Sequence, residues 1–179
     1  MEVFSKIDKK IRTFIDAQKM FFVATAPLSG EGHVNLSPKG LDSFRVLSET
    51  RVAYLDLTGS GAETIAHLKE NGRITIMMCA FEGPPNILRL FGTGTAHPVG
   101  TPGYEKLAGE FAGLQGARSI VEVELTRVQT SCGYAVPFYE FKGEREQLTK
   151  WAAKKGEGGI ADYQRKNNHT SIDGLPALD

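Results

Sequence analysis

In 179 residues the chain has only two cysteines, one tryptophan and four histidines. Cys79 and Cys132 stand far apart, so no disulfide framework is available. The histidines at 33, 67, 97 and 169 form no metal-ligating pattern with them, and no metal is expected. An excess of charge is missing too, because 21 Lys and Arg balance 21 Asp and Glu. That removes the electrostatic grip nucleic acid demands. The most basic stretch, Lys150 to Lys155 with Arg165 and Lys166, is diluted by Glu144, Glu146 and Glu157, and reads as a solvated helix face. No apolar run approaches the ~18 residues a membrane helix needs. The charged, amphipathic start MEVFSKIDKKIRTFI is not a secretory signal, so a reducing cytoplasm is the expected setting. Also absent are a Gly-x-Ser-x-Gly elbow, a Walker loop and a His-Glu-x-x-His run, which leaves hydrolase, nucleotide-triphosphatase and metalloprotease chemistry without support.

What is there fits one folded domain over 1–179, with 41% hydrophobic and 23% charged residues. Phe4, Ile7, Ile11, Phe14 and Ile15 recur at helical spacing. MFFVATA and HVNLS read as a hairpin about the turn residues Pro27 to Gly32, and RVAYLDLT as a further strand. A helix from Gly61 to about Glu70 stops at Asn71-Gly72. RITIMMCAF and ILRLFGTGTAHPV are two strands joined at Gly83-Pro84-Pro85. GYEKLAGEFAGL is expected to be helical, SIVEVELTRVQTSCGY a long strand, and Glu144 to Lys155 a last helix. The end, YQRKNNHTSIDGLPALD, is expected to lie as an arm on the surface. Strands without regular βαβ alternation point to a small closed or half-closed barrel, which manages its own sheet edges.

Three polar constellations stand out. AYLDLTGSGAETIAHLKENG carries Leu57, Thr58, Gly59, Ser60 and Gly61 from a strand into a helix that contains Thr64. Such a helix mouth offers free N–H groups and partial positive charge to an anion. The same letters also fit a capping box, Ser60 with Glu63 three residues on. HVNLSPKG places His33, Asn35 and Ser37 on one strand face and Val34 and Leu36 on the other, with Lys39 after Pro38. ILRLFGTGTA sets Arg89, Phe91, Thr93 and Thr95 opposite Leu90, Gly92, Gly94 and Ala96, small residues that admit a close backbone or a flat ring. If Arg89 faces the barrel, it needs an anionic or carbonyl partner. Cys132 has no histidine or cation beside it in sequence and is expected to be a buried, inert thiol.

The order FFVATA, HVNLSPKG, RVAYLDLT, AETIAHLKENGRITIMM, LRLFGTGTA over about residues 15 to 100 resembles the pyridoxamine 5'-phosphate oxidase family of flavin mononucleotide (FMN) binding split barrels. TSCGYAVPFYEF and SIDGLPAL look like a branch of that family with undefined substrates. The resemblance implies a six-stranded antiparallel split β-barrel of Greek-key order with short flanking helices. The barrel would span about 15–140, followed by a C-terminal helix and arm over 141–179. It further implies a homodimer with FMN at the interface, and NAD(P)H or another small reductant as partner. The strand Asn35, Leu36, Ser37, Lys39 would lie beside the flavin, and Thr58 is the strand-end threonine. The arginine five residues before the lysine falls on Val34, and the Ser-Arg-Lys of the helix start falls on Ala62, Glu63 and Thr64. A backbone nest at Gly59, Ser60 and Gly61 would then replace the missing cations. The flavin-contacting glutamine falls on Arg89, and Ser131, Cys132 and Gly133 are the expected contribution of the second subunit. The paired arginine and histidine that hold vitamin B6 are absent, which argues against pyridoxamine phosphate oxidation itself. The expected function is flavin-mediated hydride or electron transfer; a non-catalytic flavin or haem carrier on the same barrel is the alternative.

Overall fold

A computed structural model describes residues 1–111 and 113–178. Eight strands form one sheet: β1 (Glu2–Phe4), β2 (Phe21–Thr25), β3 (Asn35–Lys39), β4 (Phe44–Val46), β5 (Arg51–Leu57), β6 (Arg73–Cys79), β7 (Ile87–Pro98) and β8 (Ala117–Ser131). All ladders are antiparallel, in the order β3-β2-β6-β7-β8-β5-β4, with β1 added to the end of β8. The helices are α1 (Lys9–Ala17), α2 (Glu63–Asn71), α3 (Pro102–Leu107) and α4 (Gln147–Asn167), with a 3-10 turn at Ala108–Phe111.

The sheet curls around a core containing Val23, Val52, Tyr54, Ile76, Leu88, Leu90, Val121, Val123 and Val128, all at most 1% exposed. Each such side chain contributes roughly 1.5–3 kcal/mol by leaving water. Helix α1 closes one side of the barrel with Ile11 and Ile15, capped by Asp8, whose carboxylate accepts the Ile11 N–H at 2.7 Å. The expected mainly-β split barrel is therefore present, with eight strands in place of six. Glu2–Phe4, expected inside the first helix, pairs instead with Val128–Thr130. The last helix also runs further than expected, to Asn167, and bends at Gly156, whose φ of 65° only glycine adopts readily.

Two irregularities lie on β8. Opposite β5, Asp56 pairs with Ser119 and Leu57 with Ala117, so Arg118 is an extra residue. Opposite β7, Phe91 pairs with Arg127 and Gly92 with Leu125, so Thr126 is another. Such bulges re-aim the side chains around them.

The small residues of β7 serve packing. A Cβ on Gly94 would stand 3.0 Å from Leu68 of α2, and one on Gly92 would stand 2.2 Å from the Glu124 carbonyl. The close neighbours are thus a helix and a strand of the same chain. The Asn71-Gly72 stop holds as read: Gly72 is left-handed at φ 69°, and its N–H closes on Leu68 O at 3.1 Å.

Candidate functional site

The barrel is split between β3 and β5, which share no ladder. Side chains cross the gap instead. Lys39 Nζ lies 3.0 Å from Asp56 Oδ1, and the Arg118 Nε and Nη2 atoms each lie 2.8 Å from Asp56 Oδ2. Arg118 Nη1 also donates to the Gly61 carbonyl at 2.6 Å. Asp56 is fully buried and Arg118 is 4% exposed. Burial alone would raise the Asp56 carboxyl. The charges of Lys39 and Arg118 and their hydrogen bonds outweigh that and hold it below the usual carboxylate range. Two cations therefore face one carboxylate, which leaves that buried cluster one positive charge in excess, with the Glu63 carboxylate close against Gly61.

A second chain of polar contacts runs beside the first. Asn35 Nδ2 donates to Thr64 Oγ1 at 2.9 Å and to Thr25 Oγ1 at 3.2 Å, and Thr25 Oγ1 lies 3.0 Å from His67 Nδ1. Burial pushes the His67 imidazole down, so it is neutral near pH 7. The Tyr54 hydroxyl, fully buried, has no hydrogen-bond partner among the described residues. Burial, then the Asp56 charge, pushes its phenol well up, so it keeps its proton.

The turn itself has an asymmetry. Its acceptors are used. Thr58 Oγ1 receives Gln164 Nε2 at 2.7 Å, and the carbonyls of Gly59 and Ser60 receive Asn168 Nδ2 at 3.0 and 3.4 Å. Gly61 O receives Arg118, and Glu63 Oε1 receives the Ile172 N–H at 3.3 Å. The expected capping box is absent: Ala62 is the N-cap, without a side-chain hydrogen bond. With Ala62 as N-cap, Glu63 is the first helical residue rather than the third and is out of register for the box, and its Oε1 serves the C-terminal arm. The donors are free. No acceptor among the described residues meets the N–H groups of residues 59 to 65 or the hydroxyl proton of Ser60.

Of the residues picked from sequence, Asn35, Lys39, Gly61 and Thr64 join these networks directly, and Thr58, Gly59 and Ser60 adjoin them through the arm. Ser37 shares the face of Asn35 and Lys39, whereas Leu57, at the end of β5, packs with Leu55, Leu107 and Phe111 on the face of β5 opposite Asp56. Leu36 faces away, 63% exposed. Arg89, Ser131, Cys132 and Gly133 form a separate group. Leu88 and Leu90 point into the core, so Arg89 lies on the outer face of the sheet, contrary to the barrel-facing expectation. There it donates to Ser131 Oγ at 3.1 Å. Three inter-strand steps, roughly 14 Å, and the thickness of the sheet separate it from Lys39. Cys132, expected to be buried, is instead exposed, because it lies just past the end of β8 and outside the core, and Gly133 is left-handed against Asn86.

That outer face is half-apolar. Phe22, Met77, Arg89 and Gln129 stand in one cross-strand row, and Leu36, Ala24, Thr75, Phe91 and Arg127 in the next. A cleft of about 390 Å³ opens on it between Val34, Ala24, Thr75, Phe91 and Arg73.

Sequence reading missed Asp56, Arg118, Gln164 and Asn168. The last two act over 106 to 109 positions, beyond any local pattern. Among the described residues no group of three His, Cys, Asp or Glu could hold a metal ion, and no helix is long and apolar enough to cross a membrane.

Fold and site together define a split-barrel protein with a donor-rich turn at its open seam. The family model for pyridoxamine 5'-phosphate oxidase matches residues 7–132, and the chain belongs to that family. It is 40% identical, over 98% of its length and 77% of the relative's, to the pyridoxamine 5'-phosphate oxidase family protein ustO of Aspergillus flavus. Among solved structures it resembles HupZ of Group A Streptococcus, with a TM-score of 0.57 and 21% identity over 70% of this chain and 94% of that one. It also resembles an FMN-binding protein of Syntrophomonas wolfei, with a TM-score of 0.50 and 12% identity over 72% and 85%.

Proposed function

We propose that the protein is an FMN-dependent oxidoreductase acting as a cytoplasmic homodimer, with the flavin phosphate seated on the 58–64 turn. One observation carries this reading: a turn whose acceptors are spent and whose donors are unmet, above a buried cluster with one more cation than anion. A phosphate is the guest such a surface lacks. The residues present fit it even though the family's helix-start cations are Ala62 and Glu63 here. Arg118 and Lys39 supply positive field from the barrel side, and Thr58, Ser60 and the free N–H groups supply contacts. The half-apolar outer face beside Leu36 suits the ring system and a second copy, whose Arg89 and Ser131–Gly133 segment would complete the site. Bound FMN would supply hydride or electron transfer; the chain's own part is to bind it, orient it and place positive charge where negative charge develops.

The loss of the helix-start cations favours a second reading, a non-catalytic carrier of flavin or haem. The visible spectrum of the purified protein, followed by anaerobic NADPH or NADH, separates the two. Flavin bands that bleach support the oxidoreductase, and flavin bands that stay oxidised, or a Soret band, support the carrier. A colourless protein that takes up neither added FMN nor haem ends both.

A further inference from the structure

Everything that engages the acceptors of the 58–60 turn comes from the chain's C-terminal part. Gln164 lies near the end of α4, and Asn168 follows directly after it. Asn168 is fully buried, and its amide orientation is dictated by two carbonyls, because the reverse orientation would set oxygen against oxygen. Its Oδ1 has no donor among the described residues, so the side chain is not placed there to satisfy itself. The rest of the arm holds the pair in position. Ala177, fully buried, packs with Ala62, Ile65 and Ala66 of α2. Asp173 accepts the His33 N–H at 2.8 Å and lies 2.7 Å from its Nδ1, and Ser171 N–H closes on Leu175 O at 2.9 Å.

We infer that Gln164 and Asn168 are positioning residues for the anion site: they set the direction in which the turn's donors point. A peptide unit whose C=O is held toward Asn168 must turn its N–H to the opposite side. Two consecutive carbonyls are held so, which aims the N–H groups of Ser60 and Gly61 away from the arm. Gln164 Nε2 occupies a lone pair of Thr58 Oγ1, so that hydroxyl keeps its proton to donate. Neither residue touches the guest; both act through the turn. This inference rests on the phosphate reading above.

The test is the ratio of riboflavin to FMN dissociation constants, measured by flavin fluorescence on full-length wild type, Gln164→Leu and Asn168→Leu. Both changes are neutral, so no new charge confuses the result. Wild type is expected to prefer FMN. Each variant is expected to lose about tenfold of that preference through weaker FMN binding, with riboflavin affinity held within about twofold. Variants that keep the wild-type ratio overturn the inference while leaving the phosphate reading intact. Equal weakening of both flavins also overturns it, because that is what a merely structural role produces. If Asn168→Leu fails to fold, the partly exposed Gln164→Leu decides alone. Wild type without any preference for FMN overturns the phosphate reading and this inference with it.

Discussion

The two ends of this barrel that carry cationic side chains are built on opposite plans. At the β3–β5 seam, Lys39, Asp56 and Arg118 are tied to one another and to the 58–61 turn, and the carboxylate between them sees no water. On the outer face of β7 and β8, Arg89 has a single neutral partner, Ser131, and lies half-exposed in an apolar row. A buried network needs every member present, because each charge is tolerated only through the others. An exposed arginine carries no such obligation, and its value comes from whatever later covers it. The first cluster is thus complete within one chain, whereas the second is suited to a partner.

The largest effect expected from this contrast is on stability. Asp56→Ala strands two cations in the barrel wall and is expected to cost about 3–5 kcal/mol, read from urea unfolding, whereas Arg89→Ala stays close to wild type. Equal, small losses for both would erase the distinction. Acid should expose the same asymmetry. The Asp56 carboxyl is depressed in the folded state, so its contribution is present above the unfolded value and fades as pH falls through the folded one. Stability measured from pH 5 downward should therefore decline, and Asp56→Asn should flatten that decline.

Ligand binding sharpens the comparison at the next level down. Lys39→Met should weaken FMN about tenfold at any protein concentration, the scale of one charge-assisted contact. The defect of Arg89→Met should grow on dilution if, as proposed, that residue completes the site of a second copy. A concentration-independent Arg89 defect would place that residue in its own chain's site. The smallest effect belongs to His33, whose link to Asp173 lies at the surface. The two hydrogen bonds from His33 hold the Asp173 carboxyl below its ordinary value. That contribution is present at neutral pH and is lost as pH falls through the lowered value. The backbone bond survives His33→Ala and the pair is exposed, so the unfolding midpoint should fall only slightly at neutral pH and the difference should vanish in acid.

Much of this architecture could be read from letters alone. Strands β2, β3, β5, β6 and β7 alternate or run apolar in ways that local sequence reports, and Asn71-Gly72 announces the end of α2. Strands β1 and β4 are three residues long each. Both are too short to show a period: β1 exists because the distant β8 pairs with it, and β4 is the short arm of a hairpin with the neighbouring β5. Half of the seam was legible for the same reason: Asn35, Lys39 and the turn residues sit at strand ends with recognisable spacing. Arg118 was not, because it interrupts the alternation of β8, and a reader expecting every second residue inside finds Arg118 and Ser119 buried together. The capping-box reading of Ser60 and Glu63 failed because the helix begins at Glu63 with Ala62 as its cap, two residues later than that reading requires.

The two extra residues of β8 act as frame shifts in a code of period two. Between them Val121, Val123 and Leu125 point inward, whereas beyond Thr126 the even-numbered Val128 takes that side. Flattening that bulge with Thr126 kept in the ladder would carry Arg127, Gln129 and Ser131 toward the oily interior without altering one of their identities, whereas excising Thr126 would restore plain alternation and leave them outside. One residue set out of the ladder thus decides on which side of the wall the charges beyond it are displayed.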